Sequence, residues 1–182
     1  PARPATPARL RRRAPCPTAV WLIDSHVIEQ RHRAILSAYD HVFVAIKRYA
    51  EAFARLHPSV HWLPLCNMKP VLPPGSTPKR YDLGFVGNEF PAHRWRRRLL
   101  DLLAAELGPE RMFRGQLHDA RYEQTLQASR IAFNASVAGE DTNYRVYEAM
   151  AQGSFVLTDR TPDAELLFGD GVHLAFYEDE RD

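Results

Sequence analysis

Two acids in this sequence, Glu140 and Glu148, have a spacing that suggests chemistry, with seven residues between them. If both lay on one helix, they would be about 80° apart around its axis and about 12 Å apart along it. At that separation they could not share one proton or one metal ion. Each carboxylate can instead accept hydrogen bonds from hydroxyl groups, as carboxylates do when a protein binds a sugar or a ribose.

Apolar, strand-like runs flank the two acids, from Ile131 to Val137 and from Ser154 to Thr158. Open α/β sheets bind ligands outside the carboxyl ends of their strands, often at a helix N-terminus. Free backbone N–H groups near Asn143 and Tyr144 would face that edge, where an anion such as a diphosphate binds well. The expected ligand therefore has a phosphate in the middle and hydroxyl groups at both ends.

We expect Glu140 to lie in a loop and Glu148 in the helix that follows, with Asp141 or Thr142 as the helix N-cap. A plainer interpretation is equally open. In it, Glu140 and Asp141 are loop acids that favour a helix N-terminus, and Glu148 is a solvated residue paired with Arg145 three positions earlier. Spacing alone does not decide between the two.

The stretch from Glu140 to Gly153, E-D-T-N-Y-R-V-Y-E-A-M-A-Q-G, resembles the E-x7-E-A-x-A-x-G signature of retaining glycosyltransferases with the GT-B fold. The likeness is closer to the spore-maturation, CgeB-like glycosyltransferase group, through further blocks at residues 21–25, 39–45, 61–65 and 81–88. This resemblance implies transfer of a sugar from a nucleotide-sugar donor, with retention at the anomeric carbon. The acceptor, whether glycan, protein or small molecule, stays unknown.

The same resemblance implies roles for single residues. Glu148 is expected to bind the donor ribose and Glu140 to face the transferred hexose. Arg145 is expected to act on the diphosphate as its charge partner, which makes Glu140 and Arg145 the catalytic candidates. The other donor-side residues are Asn143, Asp141, Thr142, Gly87 and Asn88, the last two forming a turn at the end of a strand.

On the acceptor side, Asp24 and His26 follow a predicted strand, Ala19 to Ile23, where loops of open α/β sheets line a cleft. A helix-cap role is the alternative for His26. A later helix, Ala92 to Leu107, has arginines that we expect to be mostly solvated, with Arg94 the best placed to reach a diphosphate. Its predicted buried stripe comprises Trp95, Leu99, Leu102, Leu103 and Leu107.

The order of elements predicts an α/β fold with parallel sheets, and the resemblance makes it GT-B-like, with two Rossmann-like halves. Residues 18–66 would be the end of the N-terminal, acceptor-side half, 67–79 a proline-rich linker, and 80–182 the nucleotide-sugar-binding half. Few strands in the first half and no closing helices in the second suggest a fragment with a truncated N-terminal half. The activity of such a fragment alone is open.

Composition is that of a globular protein, with 45% hydrophobic residues and a net charge of +2. Residues 1–17 are rich in proline and arginine, which predicts a disordered basic arm, and we expect no nucleic-acid partner. No apolar run is long enough for a membrane span, and no secretory signal is evident. Cys16 and Cys66 fit no metal spacing, so we expect reduced thiols in a cytoplasmic protein.

The histidines are scattered and no D-x-D pair follows a strand, so we expect no metal and no cofactor besides the nucleotide-sugar substrate. A helix N-terminus and Arg145 would then stabilise the leaving diphosphate. Two other functions stay open. One is a sugar-nucleotide epimerase on the same fold, and the other is a non-catalytic nucleotide-sugar-binding or spore-coat-type protein.

Overall fold

The computed structural model describes residues 15–90, 93–136 and 142–179. The chain forms two compact units, residues 1–64 and 65–182, and each contains one parallel sheet with helices in its crossover connections. The predicted α/β fold with parallel sheets is confirmed. Across the described residues, no helix is both long enough and apolar enough to cross a bilayer.

The first unit is built on a three-stranded parallel sheet in the order β1-β2-β3. Its strands are β1 (Ala19–Leu22), β2 (His41–Val44) and β3 (Val60–Trp62), and its helices are α1 (Ser25–Ile35) and α2 (Lys47–Ala54). Val42 and Val44 are fully buried and share one core cluster with Phe53 of α2. They lie two positions apart, so strand geometry directs both toward the same face.

The second unit is built on a five-stranded parallel sheet in the order β5-β4-β6-β7-β8. Its strands are β4 (Tyr81–Val86), β5 (Met112–Gly115), β6 (Ser129–Asn134), β7 (Phe155–Asp159) and β8 (Ala175–Tyr177). The helices are α3 (Arg94–Leu107), α4 (Ala120–Ala128), α5 (Tyr144–Ala151) and α6 (Pro162–Leu167). Strand β4 lies between β5 and β6, and its Gly84 pairs with Phe113 of β5 and Ala132 of β6.

Two apolar clusters form the core of the second unit. Phe85 of β4 belongs to the cluster that contains Leu99 and Leu100 of α3. Val86, the next residue, belongs to the cluster that contains Leu126 of α4 and Val146 of α5. The alternation along β4 therefore gives each face of the sheet its own helices.

The proline-rich segment is hydrogen-bonded to the rest of the second unit through two buried glutamines. Gln127, at the end of α4, accepts from the backbone N–H of Thr77 at 2.7 Å and donates to the carbonyl of Pro73 at 3.0 Å. Gln152, which follows α5, accepts from the N–H of Leu72 at 3.0 Å and donates to the carbonyl of Pro70 at 2.7 Å. The role of residues 67–79 as a domain linker stays a prediction.

The predicted buried stripe of α3 is wrong at two positions. Trp95 is 44% exposed and Leu102 is 48% exposed, while Arg96 is buried together with Leu99 and Leu100. Positions 96, 99 and 100 are related by i, i+3 and i+4, so they lie on one helix face. The true buried face thus includes an arginine that we expected to be solvated.

Gly84→Ala should destabilise the protein. A Cβ at Gly84 would lie 2.0 Å from Oγ of Ser129, and this hydroxyl is held in place because it donates to the carbonyl of Thr125 at 2.8 Å. We expect a loss of about 1–3 kcal/mol in the free energy of unfolding, measured by urea denaturation. Gly115→Ala is the matched control, because its nearest contact would be 3.6 Å. Equal stability of the two variants would contradict the packing argument.

Candidate functional site

The candidate site lies where the carboxyl ends of β4, β6 and β7 meet the beginning of α5. Gly87 follows β4, Asn134 ends β6 and Asp159 ends β7. All three strands are parallel, so these residues share one edge of the sheet. Helix α5 begins there at Tyr144, and its N-terminus is the positive end of the helix dipole.

Asn143 caps α5, so the prediction of Asp141 or Thr142 as N-cap is wrong. Its backbone is extended, and its Oδ1 accepts from the N–H of Arg145 at 3.1 Å. The helix begins later than we expected, and the asparagine side chain satisfies the N–H two positions on. Thr142 is buried just before the cap, and within the described ranges its Oγ1 has no hydrogen-bond partner.

Asn134 connects the strand ends to the helix. Sequence reasoning missed it, because its one signal was its place late in a predicted strand. Its Oδ1 accepts from Nδ2 of Asn143 at 2.9 Å and from Nη1 of Arg145 at 2.8 Å. Its Nδ2 donates to Oγ1 of Thr158 at 2.8 Å, and its carbonyl accepts from the hydroxyl of Tyr177 at 2.9 Å. These bonds fix both the cap and the arginine.

Arg145 is half-buried and held by uncharged groups. Its Nε donates to the carbonyl of Val86 at 2.6 Å, and its guanidinium lies 4.6 Å from the centre of the Phe85 ring. Burial, followed by the nearby charge of Arg96, lowers the pKa of Arg145 to about 10. The side chain therefore stays positively charged at neutral pH in an environment that disfavours charge.

Gly87 leaves room for this guanidinium. A Cβ at Gly87 would lie 2.0 Å from Nη2 of Arg145, a separation that no side chain can adopt. The backbone of Gly87 thus lies against Arg145. Its contact with a nucleotide-sugar donor stays a prediction. Asn88 is exposed, and its carbonyl accepts from Nη1 of Arg96 at 2.9 Å.

Arg96 is a buried cation beside the half-buried Arg145, and sequence reasoning missed it. Its Nε and Nη2 both donate to the carbonyl of Ala135, at 3.0 and 2.6 Å, and its guanidinium lies 5.8 Å from the centre of the Phe85 ring. Burial lowers the pKa of Arg96, while the charge of Asp159 opposes that shift. Our other candidate on this helix, Arg94, is exposed.

Neither of these two arginines forms an ion pair with any carboxylate among residues 15–90, 93–136 and 142–179. Asp159, whose charge favours both cations, is occupied elsewhere: its carboxylate accepts from the backbone N–H of Ser136 at 2.9 Å and from the Ser136 hydroxyl. Two desolvated positive charges at one sheet edge make this edge suited to an anion.

Glu148 lies one helical turn after Arg145 and is only 7% exposed. The hydroxyl of Tyr122 on α4 donates a short hydrogen bond to its Oε2. Burial raises the pKa of Tyr122 and this bond raises it further, so the phenol remains a donor at neutral pH. The alternative of Glu148 as a solvated helix residue paired with Arg145 is therefore wrong.

The remaining predicted residues lie outside the described residues or in the first unit. Glu140 and Asp141 lie outside the described residues. Asp24 and His26 belong to the first unit, where Asp24 is exposed with a left-handed φ of 56°. Nδ1 of His26 is buried and has no hydrogen-bond partner in the described part of the chain.

A buried bond lies beside these two residues. Oγ of Ser25 and Nδ1 of His32 are 3.0 Å apart, and both side chains are buried. Burial lowers the pKa of His32 below its ordinary 6.5, although the charge of Asp24 acts in the opposite direction. Within the described ranges there is no group of three or more His, Cys, Asp or Glu that could hold a metal ion. The expectation of no metal stays a prediction.

Comparison with known proteins gives the family. A family model described as glycosyl transferase-like matches residues 73–182, which is more than half of the sequence. The chain belongs to the glycosyl transferase-like family. None of the curated proteins that were compared matches it.

This family member is also similar to solved structures. The pneumococcal O-GlcNAc transferase GtfA in complex with UDP and GlcNAc aligns with a TM-score of 0.60 and 10% identity, over 88% of this chain and 41% of that one. A mutant of S. aureus TarM, in complex with fondaparinux, α-GlcNAc-glycerol and UDP, aligns with a TM-score of 0.57 and 8% identity, over 83% and 36%. A GtfA/B complex aligns with a TM-score of 0.55 and 13% identity, over 81% and 36%.

At these identities the similarity shows the fold, so the predicted GT-B-like architecture is confirmed. The chain spans 41% of the GtfA chain and 36% of the TarM chain. The donor-side and acceptor-side roles of single residues stay predictions.

Inorganic pyrophosphate should stabilise the protein through Arg145. At about 100 times its dissociation constant, a ligand raises the free energy of unfolding by about 2.7 kcal/mol. We expect a rise in the melting temperature of the wild type and no such rise for Arg145→Ala. Arg97→Ala is the control, since it removes an exposed arginine from α3. Equal stabilisation of both variants would show that general surface charge binds the anion.

The pH dependence of stability should report on His32. Its folded-state pKa is lowered, so the unfolded chain binds more protons, and the stability present above pH 6.5 is lost as the pH falls through the folded pKa. In His32→Gln this loss should shrink, measured by urea denaturation at a series of pH values below 6.5. His61→Gln, at an exposed position of β3, should behave as the wild type. Identical pH profiles for all three proteins would contradict the assignment.

Proposed function

We propose that this chain carries the nucleotide-sugar donor site of a glycosyltransferase that transfers a hexose to an acceptor with retention. The observation that carries this proposal is Arg145, a desolvated cation at a helix N-terminus whose described partners are all uncharged. Membership of the glycosyl transferase-like family supports it. The UDP-containing complexes of the similar structures support a nucleotide-sugar donor.

The diphosphate of the donor binds at the beginning of α5 in this proposal. Arg145 supplies the charge, and the positive end of the α5 dipole, beside Thr142 and the cap Asn143, adds to the attraction. When the bond between sugar and diphosphate breaks, negative charge develops on the diphosphate. Arg145 and the helix N-terminus stabilise that charge in place, so the proposed mechanism requires no metal.

The two glutamates bind the two ends of the donor. Glu148 accepts hydrogen bonds from the ribose hydroxyls, and Glu140 faces the transferred sugar. The turn at Gly87 and Asn88 borders the donor, and Asp141 completes the set of donor-side residues. These assignments follow the resemblance of the E-x7-E stretch to the CgeB-like, retaining glycosyltransferases. The burial of Glu148 one turn from Arg145 supports the first of them.

The acceptor is a glycan, a protein or a small molecule, and Asp24 and His26 of the first unit are the proposed acceptor-side residues. The unpartnered Nδ1 of His26 supports a role in polar recognition. We place the protein in the cytoplasm, and the free thiols of Cys16 and Cys66 support that placement.

A panel of UDP-, GDP- and ADP-sugars tests the donor site. One of them should raise the melting temperature of the wild type, and calorimetric titration should then show that Glu148→Ala weakens its binding about tenfold or more, because a hydrogen bond to a charged group is lost. Glu106→Ala, at an exposed position of α3, is the control. Unchanged affinity of Glu148→Ala would contradict the ribose role.

In the same assay, Arg145→Ala tests whether Arg145 binds the diphosphate through its charge. It should weaken binding of the nucleoside diphosphate strongly and leave the weak binding of the free nucleoside nearly unchanged. Equal loss for both ligands would exclude the charge role. Donor binding without any donor hydrolysis or transfer would favour a non-catalytic nucleotide-sugar-binding protein.

A further inference from the structure

We infer that Tyr122 is a positioning residue for Glu148: its hydroxyl holds one carboxylate oxygen so that the other is presented to a ribose hydroxyl. This inference rests on the proposed donor site and adds a residue that lies outside the E-x7-E stretch. Tyr122 would act through Glu148, without contact to the reacting atoms.

The geometry of the pair comes from the packing of two neighbouring helices. Tyr122 lies in the first turn of α4, and Glu148 lies in the middle of α5. The ring of Tyr122 packs against the apolar cluster that includes Leu126 and Val146, so the position of its hydroxyl is set by the core. The ammonium of Lys69 lies 5.5 Å from the centre of the same ring. The Tyr122 hydroxyl is therefore held in place by the packing of its ring as well as by its hydrogen bond to Glu148.

The carboxylate of Glu148 can accept more hydrogen bonds than it receives from the described residues. A carboxylate has two oxygens and about four acceptor sites. Within the described residues, the one donor to Glu148 is the hydroxyl of Tyr122 on Oε2, and no Lys, Arg or His forms an ion pair with it. A buried carboxylate with so few partners is costly unless a ligand supplies donors. Ribose hydroxyls at Oε1 would supply them.

The arrangement has a consequence that a purely structural bond would not have. If Tyr122 acts by orienting Glu148, loss of its hydroxyl weakens the binding of ligands that have ribose hydroxyls. The binding of ligands without those hydroxyls is unchanged. If the bond serves only to join α4 and α5, its loss affects both ligands alike. The two cases differ in selectivity, which can be measured independently of stability.

The test compares Tyr122→Phe with the wild type, using a nucleoside diphosphate and its 2′,3′-dideoxy form with the base that binds best in the donor panel. We expect the ribose ligand to bind about tenfold more weakly to the variant, because a charge-assisted hydrogen bond is lost, and the dideoxy ligand to bind equally to both proteins. In a Glu148→Ala background, Tyr122→Phe should have no further effect. Tyr49→Phe, which removes a hydrogen-bonded hydroxyl in the first unit, is the control.

Each other outcome is decisive. Equal weakening for the two ligands, or no weakening at all, overturns the positioning role while leaving the donor site intact. If the wild type binds the ribose and dideoxy forms equally, Glu148 does not bind ribose, and the proposed role of Glu148 and the role of Tyr122 fail together. If no nucleoside diphosphate binds, the donor site itself is refuted.

A second pair of variants covers the case in which Tyr122→Phe does not fold. Glu148→Gln carries no charge, so loss of the tyrosine hydroxyl leaves no buried anion without a partner. Tyr122→Phe in the Glu148→Gln background should then lose ribose selectivity relative to Glu148→Gln alone, because the amide is no longer oriented. Retained selectivity in this double variant would overturn the inference.

Discussion

The guanidinium of Arg145, fixed at the carboxyl edge of the second sheet by uncharged partners, is the interaction on which the rest of the site depends. The neighbouring residues are arranged around it: Gly87 has no side chain where the group lies, Asn134 accepts its hydrogen bond, and Asn143 caps the turn from which it extends. Arg96 adds a second desolvated charge nearby. Such a cation is already positioned before a ligand binds, and an anion can form a charge-assisted hydrogen bond with it.

The fold could be predicted where local signals agree. Strand β4 ends at Val86, directly before Gly87 and Asn88, where we expected a turn at the end of a strand. The short helix α6 was missed, because its six residues carry too little periodicity, although Thr161 caps it and Pro162 opens it.

The site could be predicted only in part, because contacts between distant residues leave no local pattern. Among the arginines at the start of α3, residue type does not distinguish the buried Arg96 from the exposed Arg94. What distinguishes them is which face of the helix packs against the sheet. The relation of Arg96 to Leu99 and Leu100 at i+3 and i+4 was the usable signal. Tyr122 lies 26 residues from Glu148, so their bond was invisible in the sequence.

The two glutamine contacts to the proline-rich segment have a mechanical consequence. Gln152 follows the last turn of α5 and holds the backbone at Pro70 and Leu72, while earlier turns of the same helix carry Arg145 and Glu148. The hydrogen bonds of Gln152 therefore connect the backbone of residues 70–72 directly to the helix that bears both side chains.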